Sequence, residues 1–353
     1  MAEQLRTSTR DLRELQTRLA AWLSDRLGAP AEAHDLARPE ANGMSSETLF
    51  FTAVSGGGRR RCVARLAPAP EAVPVFPAYD LGTQFAVMRL ARRKAGIPAP
   101  EPLWYEPDPA PLGTPFFVME REDGEVPADV LPYTFEGWLL EAAARERRRL
   151  QEATVAVVAA LHQARFAPEE LAGLGPGGLR AHVEAQRAYY AWAHAGLRVP
   201  LLERAFDWLE AHWPDDPGGD VLCWGDARIG NVMYRDFTPV AVLDWEMAAV
   251  GPRELDLAWL IFLHRFFQDI AEGAGLPGLP DFMLGQDVCR TYRELTGHEP
   301  RHMRFHELYA ALRHGIIMAR VWRRRIHFGE QPMPDDPDDL VLHRATIERM
   351  LTG

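Results

Sequence analysis

Leucines and alanines recur at helical spacing from Thr7 to Leu27, after a Ser/Thr start and before Gly28-Ala29-Pro30, which predicts an amphipathic opening helix. The period then drops to two. Glu47–Val54 and Arg60–Ala67 read as strands joined by the turn SGGGR, a hairpin signal. A proline-rich passage, Pro68–Pro77, precedes a helical stretch over Tyr79–Gly96. Two more strands, within PAPEPLWYEPD and TPFFVMERE, are separated by turn residues. Beyond EDGEVP (Glu122–Pro127) the pattern changes to long helices at Glu141–Ala164, Leu179–Gly196 and Pro200–Trp213. Three short strands, VLCW, NVMYR and PVAVLDW, interrupt them before helices resume from Glu254. The simplest organisation is α+β and two-lobed: a small β-rich lobe with its opening helix over residues 1–122, and a larger helical lobe over 123–353. The hinge between them falls near Met119–Gly124.

Composition narrows the classes. With 353 residues, 47% of them hydrophobic and 25% charged, the chain has room for one large domain or two lobes of ordinary globular type. A net charge of −11 argues against a nucleic-acid partner. Cys62, Cys223 and Cys289 stand far apart without a CxxC pair, so neither a disulfide framework nor a zinc site is expected, and a cytoplasmic setting follows. The opening residues are charged throughout, unlike a signal peptide. The longest apolar run, Leu257–Phe267, is too short and interrupted to span a membrane. Lys94 is the only lysine, so roles usual for lysine fall to arginine or stay vacant.

The candidate chemistry lies in CWGDARIGNVMY (Cys223–Tyr234) and VAVLDWEMAAVGP. Gly225 and Gly230 flank a loop between strands that would present Asp226 and Asn231 on one side, with Asp244 joining them from the next hairpin. Two carboxylates and a carboxamide oxygen suit a hard ion such as Mg²⁺, which takes one or two carboxylates beside phosphate oxygens. Held by Asn231 and Asp244, the ion would leave Asp226 free to accept a proton from an attacking hydroxyl. This Asp-x-x-x-x-Asn spacing followed by a strand-borne Asp is the arrangement of kinase machinery, and Arg228 stands where a cation meets the γ-phosphate. Taken alone, Asp226 and Asn231 also fit an Asx-turn pair in a surface loop. The second acid, the hinge and the lobe order weigh against that.

On these motifs the sequence resembles the aminoglycoside phosphotransferase-like kinases, a family with the protein-kinase-like fold. The similarity is greatest to the branch related to the kinase domains fused to some acyl-CoA dehydrogenases. NGMSSETLFF is similar to the family's nucleotide loop, RRCVARLAP to its third strand, FFVMEREDG to its hinge and VAALHQA to the buried helix before the catalytic loop. The resemblance implies Asp226 as catalytic base, Arg228 as γ-phosphate contact, and Asn231 and Asp244 as Mg²⁺ ligands. It also implies that the backbone of Asn42, Gly43, Ser45 and Ser46 covers the ATP phosphates. Arg65 takes the place of the strand lysine, and Glu120 and Glu122 face the adenine edge behind Met119. Three positions depart from the family: Arg65 for that lysine, Gln84 for its glutamate partner, and Trp224 for the usual histidine.

The expected activity is ATP- and Mg²⁺-dependent transfer of the γ-phosphoryl group to a hydroxyl of a small molecule. The alternative is a kinase-like nucleotide-binding protein without phosphotransfer, which the Arg65 and Gln84 departures keep open. A protein kinase is disfavoured by the absence of H-R-D, D-F-G and A-P-E segments. Asp256 is expected to brace a loop or cap a helix, His162 to pack, and Trp224 to floor the catalytic loop. Glu246 is open between facing the substrate and bonding the metal loop. The run RVWRRRIHFG (Arg320–Gly329) is expected to be a solvated helix face in preference to the lining of an anionic-substrate pocket. Tyr189, Tyr190 and Trp192 are expected in a helix core in preference to a substrate wall. Should the arginine run line a pocket, it would tilt the acceptor towards an acid or thioester and away from an aminoglycoside. The acceptor's identity and the oligomeric state stay open.

Overall fold

The computed structural model describes residues 10–39 and 46–352. The chain forms two compact units, one running to Arg92 and resuming over Ala99–Asp123, the other made of Arg93–Pro98 and the chain from Gly124 onward.

In the first unit, helix α1 (Leu12–Leu27) begins at Asp11, whose carboxylate accepts the backbone N–H groups of Arg13 and Glu14, and ends at Gly28 with φ 64°. Its apolar residues Leu15, Leu19, Trp22 and Leu23 lie four, three and one positions apart, so they share one buried stripe. That stripe covers an antiparallel sheet of β1 (Ala31–Ala37), β2 (Glu47–Ser55), β3 (Gly58–Leu66), β4 (Pro102–Glu106) and β5 (Phe116–Glu120), in the order β1-β2-β3-β5-β4. Alternation along the strands sends Leu49, Phe51 and Ala53 from β2, and Cys62, Ala64 and Leu66 from β3, into the same cluster. Trp22 packs edge-on to Phe116 at 4.8 Å, and its indole N–H donates to Glu106 at 2.8 Å. Helix α2 (Leu81–Leu90) starts at Asp80, which accepts from the Thr83 amide. The edge strand β1 was not anticipated: its inward residues are Ala31 and Ala33, too small to register as an apolar run.

The second unit contains two single-turn helices, α3 (Trp138–Glu141) and α5 (Pro168–Leu171), and the longer α4 (Ala144–Gln163), α6 (Leu179–His194) and α7 (Pro200–Ala211). Two small antiparallel sheets follow: β6 (Asp220–Cys223) pairs with β9 (Ala249–Pro252), and β7 (Val232–Arg235) with β8 (Thr238–Val242). The chain then runs through α8 (Glu254–Gly273), α9 (Gly285–Thr296), α10 (Met303–His327) and α11 (Arg344–Thr352). Helix α8 is apolar on most sides because it is the core helix of this unit, buried from Glu254 through Leu263. Among the described residues no helix is long and apolar enough to cross a membrane.

Burial also sets an acid limit on this unit. Desolvation pulls His264, His306 and His343 down to about 4 and His314 well below its usual value, so all four are neutral in the fold. The His314 and His343 rings lie 5.0 Å apart beside Phe262 and Phe266. An unfolded chain protonates these rings near the ordinary histidine value, so below it the unfolded state binds more protons. Stability present above about pH 6.5 is therefore lost as pH falls towards 4 and levels off below. Urea unfolding followed between pH 7 and 4 should show the midpoint falling, with His343→Phe flattening that dependence; an unchanged slope would contradict it.

Candidate active site

The strand β6 delivers the chain into the loop at Trp224, and the loop's first turn is built around glycine. Gly225 has φ 87°, and a Cβ there would sit 1.8 Å from the Met247 carbonyl oxygen. Asp256, in the first turn of α8, accepts the backbone N–H of Trp224 at 2.7 Å and that of Gly225 at 2.8 Å. It also meets His162 Nε2 at 3.0 Å, while His162 Nδ1 meets the Tyr292 hydroxyl at 2.8 Å. Asp256 thus braces the loop and His162 is a satisfied packing histidine, both as expected. Trp224 is fully buried, and its indole N–H donates to the carbonyls of Leu243 at 2.9 Å and Asp244 at 3.1 Å. Trp224 therefore ties this loop to the segment bearing Asp244.

His162, Cys223 and Asp256 bring ligand-type atoms within 4.8 Å of one another. Each is already engaged, the Cys223 thiol reaching the carbonyls of Gly251 and Pro252. Burial pushes that thiol well above its ordinary value, so it stays protonated, and the trio is a hydrogen-bonded brace.

Each oxygen of Asp226 accepts one short hydrogen bond. Trp259 Nε1 donates to Oδ1 at 2.6 Å, and Asn231 Nδ2 donates to Oδ2 at 2.6 Å. Arg228 Nε lies 3.3 Å from Oδ1, and its Nη1 donates to Asp129 Oδ2 at 2.5 Å. Burial disfavours the guanidinium charge, but the carboxylates of Asp129, then Asp226 and Asp244, outweigh it and hold Arg228 above its usual range. The other Asp129 oxygen is buried without a hydrogen-bond partner among the described residues. Asp129 has no sequence signature; it lies in a coil 99 residues before its partner.

Gly230 completes the loop, and a Cβ there would meet Arg228 Nη1 at 2.4 Å and Asp129 Oδ1 at 2.8 Å. Both obstacles are side-chain ends that can swing away. Gly230→Ala should therefore cost less than about 1 kcal/mol of stability yet displace the Arg228–Asp129 pair. The expected result is a roughly tenfold drop in the protein's activity with an unchanged unfolding midpoint; unchanged activity would contradict it. A cavity of about 10 Å³, room for one water, lies beside this corner among Tyr133, Arg228, Gly230, Leu260, His264 and Met283.

Asp244 follows β8 in the left-handed region, at φ 58°, a conformation aspartate tolerates better than most residues. The Leu243 amide donates to the Asn231 carbonyl at 2.8 Å, which fastens this segment to the loop. The Asn231 amide nitrogen is spent on Asp226, so its carboxamide oxygen is the atom left for a cation. Asn231 and Asp244 offer oxygen donors of the kind a hard divalent ion takes, so the residue chemistry fits Mg²⁺.

In the first unit, Arg65 lies on β3 opposite Thr48 and donates to its hydroxyl at 3.1 Å. Gln84 is buried on α2. Met119 and Glu120 end β5, where Met119 is buried, the Glu120 amide donates to the Glu101 carbonyl at 2.9 Å, and Glu120 pairs with Arg60 at 3.5 Å. Glu122 follows, half-buried. The Ser46 hydroxyl is buried and without a hydrogen-bond partner among the described residues. Asn42, Gly43 and Ser45 lie outside the described residues. Lys94 is paired with Glu170 at 2.6 Å in the second unit.

Two expectations hold only in part. The Arg320–Gly329 run is solvated at its end, where His327, Phe328 and Gly329 are exposed, but Arg324 is 2% exposed, Arg320 stacks over Trp192 at 4.5 Å, and Arg323 donates to the Ala193 carbonyl at 3.0 Å. Helix α6 packs along this part of α10 and draws the arginine stems inward. Of the α6 aromatics, Tyr189 is buried and Tyr190 half-buried, but Trp192 is 38% exposed.

A β-rich unit with this sheet and a helical unit carrying this loop define the kinase-like α+β fold. Residues 36–282 match the phosphotransferase enzyme family (APH), and the chain belongs to that family. Human acyl-CoA dehydrogenase family member 11 is 27% identical over 303 residues, covering 82% of this chain and 37% of its own length. The chain thus spans about a third of the length of that curated relative. A putative aminoglycoside phosphotransferase from Ralstonia eutropha superposes with a TM-score of 0.68 at 21% identity, over 95% of this chain and 96% of its own. A thermostable mutant of the aminoglycoside phosphotransferase APH(4)-Ia, in ternary complex with ADP and hygromycin B, superposes with a TM-score of 0.57 at 17% identity, over 95% of this chain and 99% of its own.

Proposed function

We propose that the protein is an ATP- and Mg²⁺-dependent phosphotransferase that moves the γ-phosphoryl group to a hydroxyl of a small molecule in a reducing cytoplasm. The observation that carries this reading is the loop in which Asp226, Arg228, Asn231 and the segment of Asp244 are fastened to one another. Oδ2 of Asp226 accepts from Asn231 and, at 3.4 Å, from Arg228 Nε, while Oδ1 accepts one short hydrogen bond from Trp259 and keeps a second lone-pair site at which the carboxylate can take the acceptor's proton. Arg228, steadied by Asp129, puts a fixed positive charge beside that carboxylate. When bound by Asn231 and Asp244, Mg²⁺ supplies neutralisation of phosphate charge. Arg65, Ser46 and the β5 end at Met119, Glu120 and Glu122 are assigned to ATP, together with Asn42, Gly43 and Ser45. The phosphotransferase family and the nucleotide-bound APH(4)-Ia support the reading.

A calorimetric titration with MgATP, followed by mass spectrometry of an acceptor panel of aminoglycosides, hydroxy acids and hydroxyacyl thioesters, tests it. Tight MgATP binding with one class of acceptor gaining a phosphoryl group is expected. Binding without transfer to any acceptor would favour a nucleotide-binding protein without turnover.

A further inference from the structure

Asp226 is held from behind by groups that the chemistry above does not use. Trp259, 2% exposed, gives it the 2.6 Å indole hydrogen bond at Oδ1. Trp259 follows Asp256 by three positions on α8, so both side chains lie on one helix face. That face supplies an acceptor to the amides of Trp224 and Gly225 and a donor to the next side chain, Asp226. Behind the indole, on α10, lies Arg313, 1% exposed, with its guanidinium carbon 4.4 Å from the ring centroid. Arg313 Nη2 donates to the Gly225 carbonyl at 3.0 Å. Both polar backbone groups of Gly225 are therefore tied down, its N–H by Asp256 and its C=O by Arg313.

A fully buried arginine is costly unless its charge is answered. Here the ring faces of Trp259 and Tyr309 lie against it, with the Gly225 carbonyl as its hydrogen-bond partner among the described residues. A stability role alone would be filled as well by an apolar side chain of similar volume. The arrangement instead concentrates a rigid plane, a fixed donor and a fixed cation on one carboxylate and the residue before it.

We propose that Trp259, backed by Arg313, is the positioning residue of the Asp226 carboxylate, so that turnover depends on the indole N–H and not merely on the volume of the ring. This rests on Asp226 being the base. Asn231 holds the other oxygen by a short bond and Arg228 Nε reaches the carboxylate only at 3.3–3.4 Å, so losing the indole bond removes the short anchor at Oδ1 and loosens the carboxylate about χ2 relative to the acceptor hydroxyl. A misplacement of that kind lowers the rate of the chemical step without weakening nucleotide binding.

Trp259→Phe keeps an aromatic ring under Arg313 and removes the donor together with the part of the indole that carries it. Its expected kcat is about 30-fold or more below wild type, with KM for ATP within about threefold and an unfolding midpoint lowered only as the smaller buried ring requires. Arg313→Lys should fall less than Arg313→Met. In an Asp226→Ala background, Trp259→Phe should have no further effect on kcat, because the two act through one carboxylate. The indole N–H resonance, assigned by its loss in Trp259→Phe, should be shifted and protected from exchange in wild type and lose that protection in Asp226→Ala. A wild-type kcat in Trp259→Phe, additive losses in the double variant, or an indole resonance indifferent to Asp226→Ala would each overturn the proposal. Full turnover in Asp226→Ala would instead overturn the base assignment on which it rests.

Discussion

Asp226→Ala is expected to lower kcat for phosphoryl transfer by roughly 10²–10⁴-fold while MgATP affinity changes little. The carboxylate is the one acid in the loop with lone pairs left for an incoming hydroxyl proton, since the carboxamide of Asn231 cannot serve as a base. Its loss also leaves Trp259 Nε1 and Asn231 Nδ2 without their short acceptor and Arg228 with Asp129 as its remaining short partner. Those donors sit in the second unit, so stability as well as rate must be measured. Steady-state kinetics beside urea unfolding separates the two: a large loss of kcat in a folded variant with retained MgATP binding is expected. Turnover near wild type would remove Asp226 from the chemistry.

Gly225→Ala carries the largest expected effect on stability. The residue has φ 87°, where a side chain is strained in any surroundings, and its Cβ would lie 1.8 Å from the Met247 carbonyl oxygen and 2.3 Å from the carbon behind it. The obstacle is backbone, so it cannot rotate away as a side-chain end would. The Gly225 N–H and C=O are also held by Asp256 and Arg313, so moving the glycine breaks two buried hydrogen bonds. A loss on the order of 3–5 kcal/mol follows from strain and overpacking together. Gly219→Ala is the matched control, because nothing lies within 4 Å of its Cβ position. Urea unfolding should place Gly219→Ala within about 1 kcal/mol of wild type and Gly225→Ala far below it. Equal midpoints for the two would contradict the loop geometry.

The parts of the site that were legible in the sequence share a property: they are close in the chain and carry unusual residue types for their setting. Asp226, Asn231 and Asp244 stand in polar loops between short strands, where two acids and an amide at fixed spacing are conspicuous. Strands β2, β3 and β5 announced themselves by short runs of strand-forming residues between turns, and helices α4, α8 and α10 by long apolar stripes. What escaped was held by distance or disguised by packing. Asp129 reaches Arg228 across 99 positions from a coil with no periodic signal. Trp259 and Arg313 lie in helices whose burial makes an aromatic look like core and an arginine look like an edge residue. The arginines of α10 show the limit of composition: several cations in sequence suggest a wet face, yet neighbouring α6 buries Arg324 and engages Arg320 and Arg323. Burial of a charged side chain depends on which element packs against it, and that is a tertiary fact.

The most direct measurement follows the γ-phosphoryl group itself. ATP labelled with ¹⁸O in its γ-phosphoryl oxygens would be turned over in unlabelled water with the responding acceptor, and the products read by mass spectrometry. The acceptor should gain the labelled phosphoryl group through its own hydroxyl oxygen in wild type and fail to gain it in Asp226→Ala. Labelled phosphate released to solvent with the acceptor unmodified, or label passing to the acceptor equally in both proteins, would contradict a phosphotransferase whose base is Asp226.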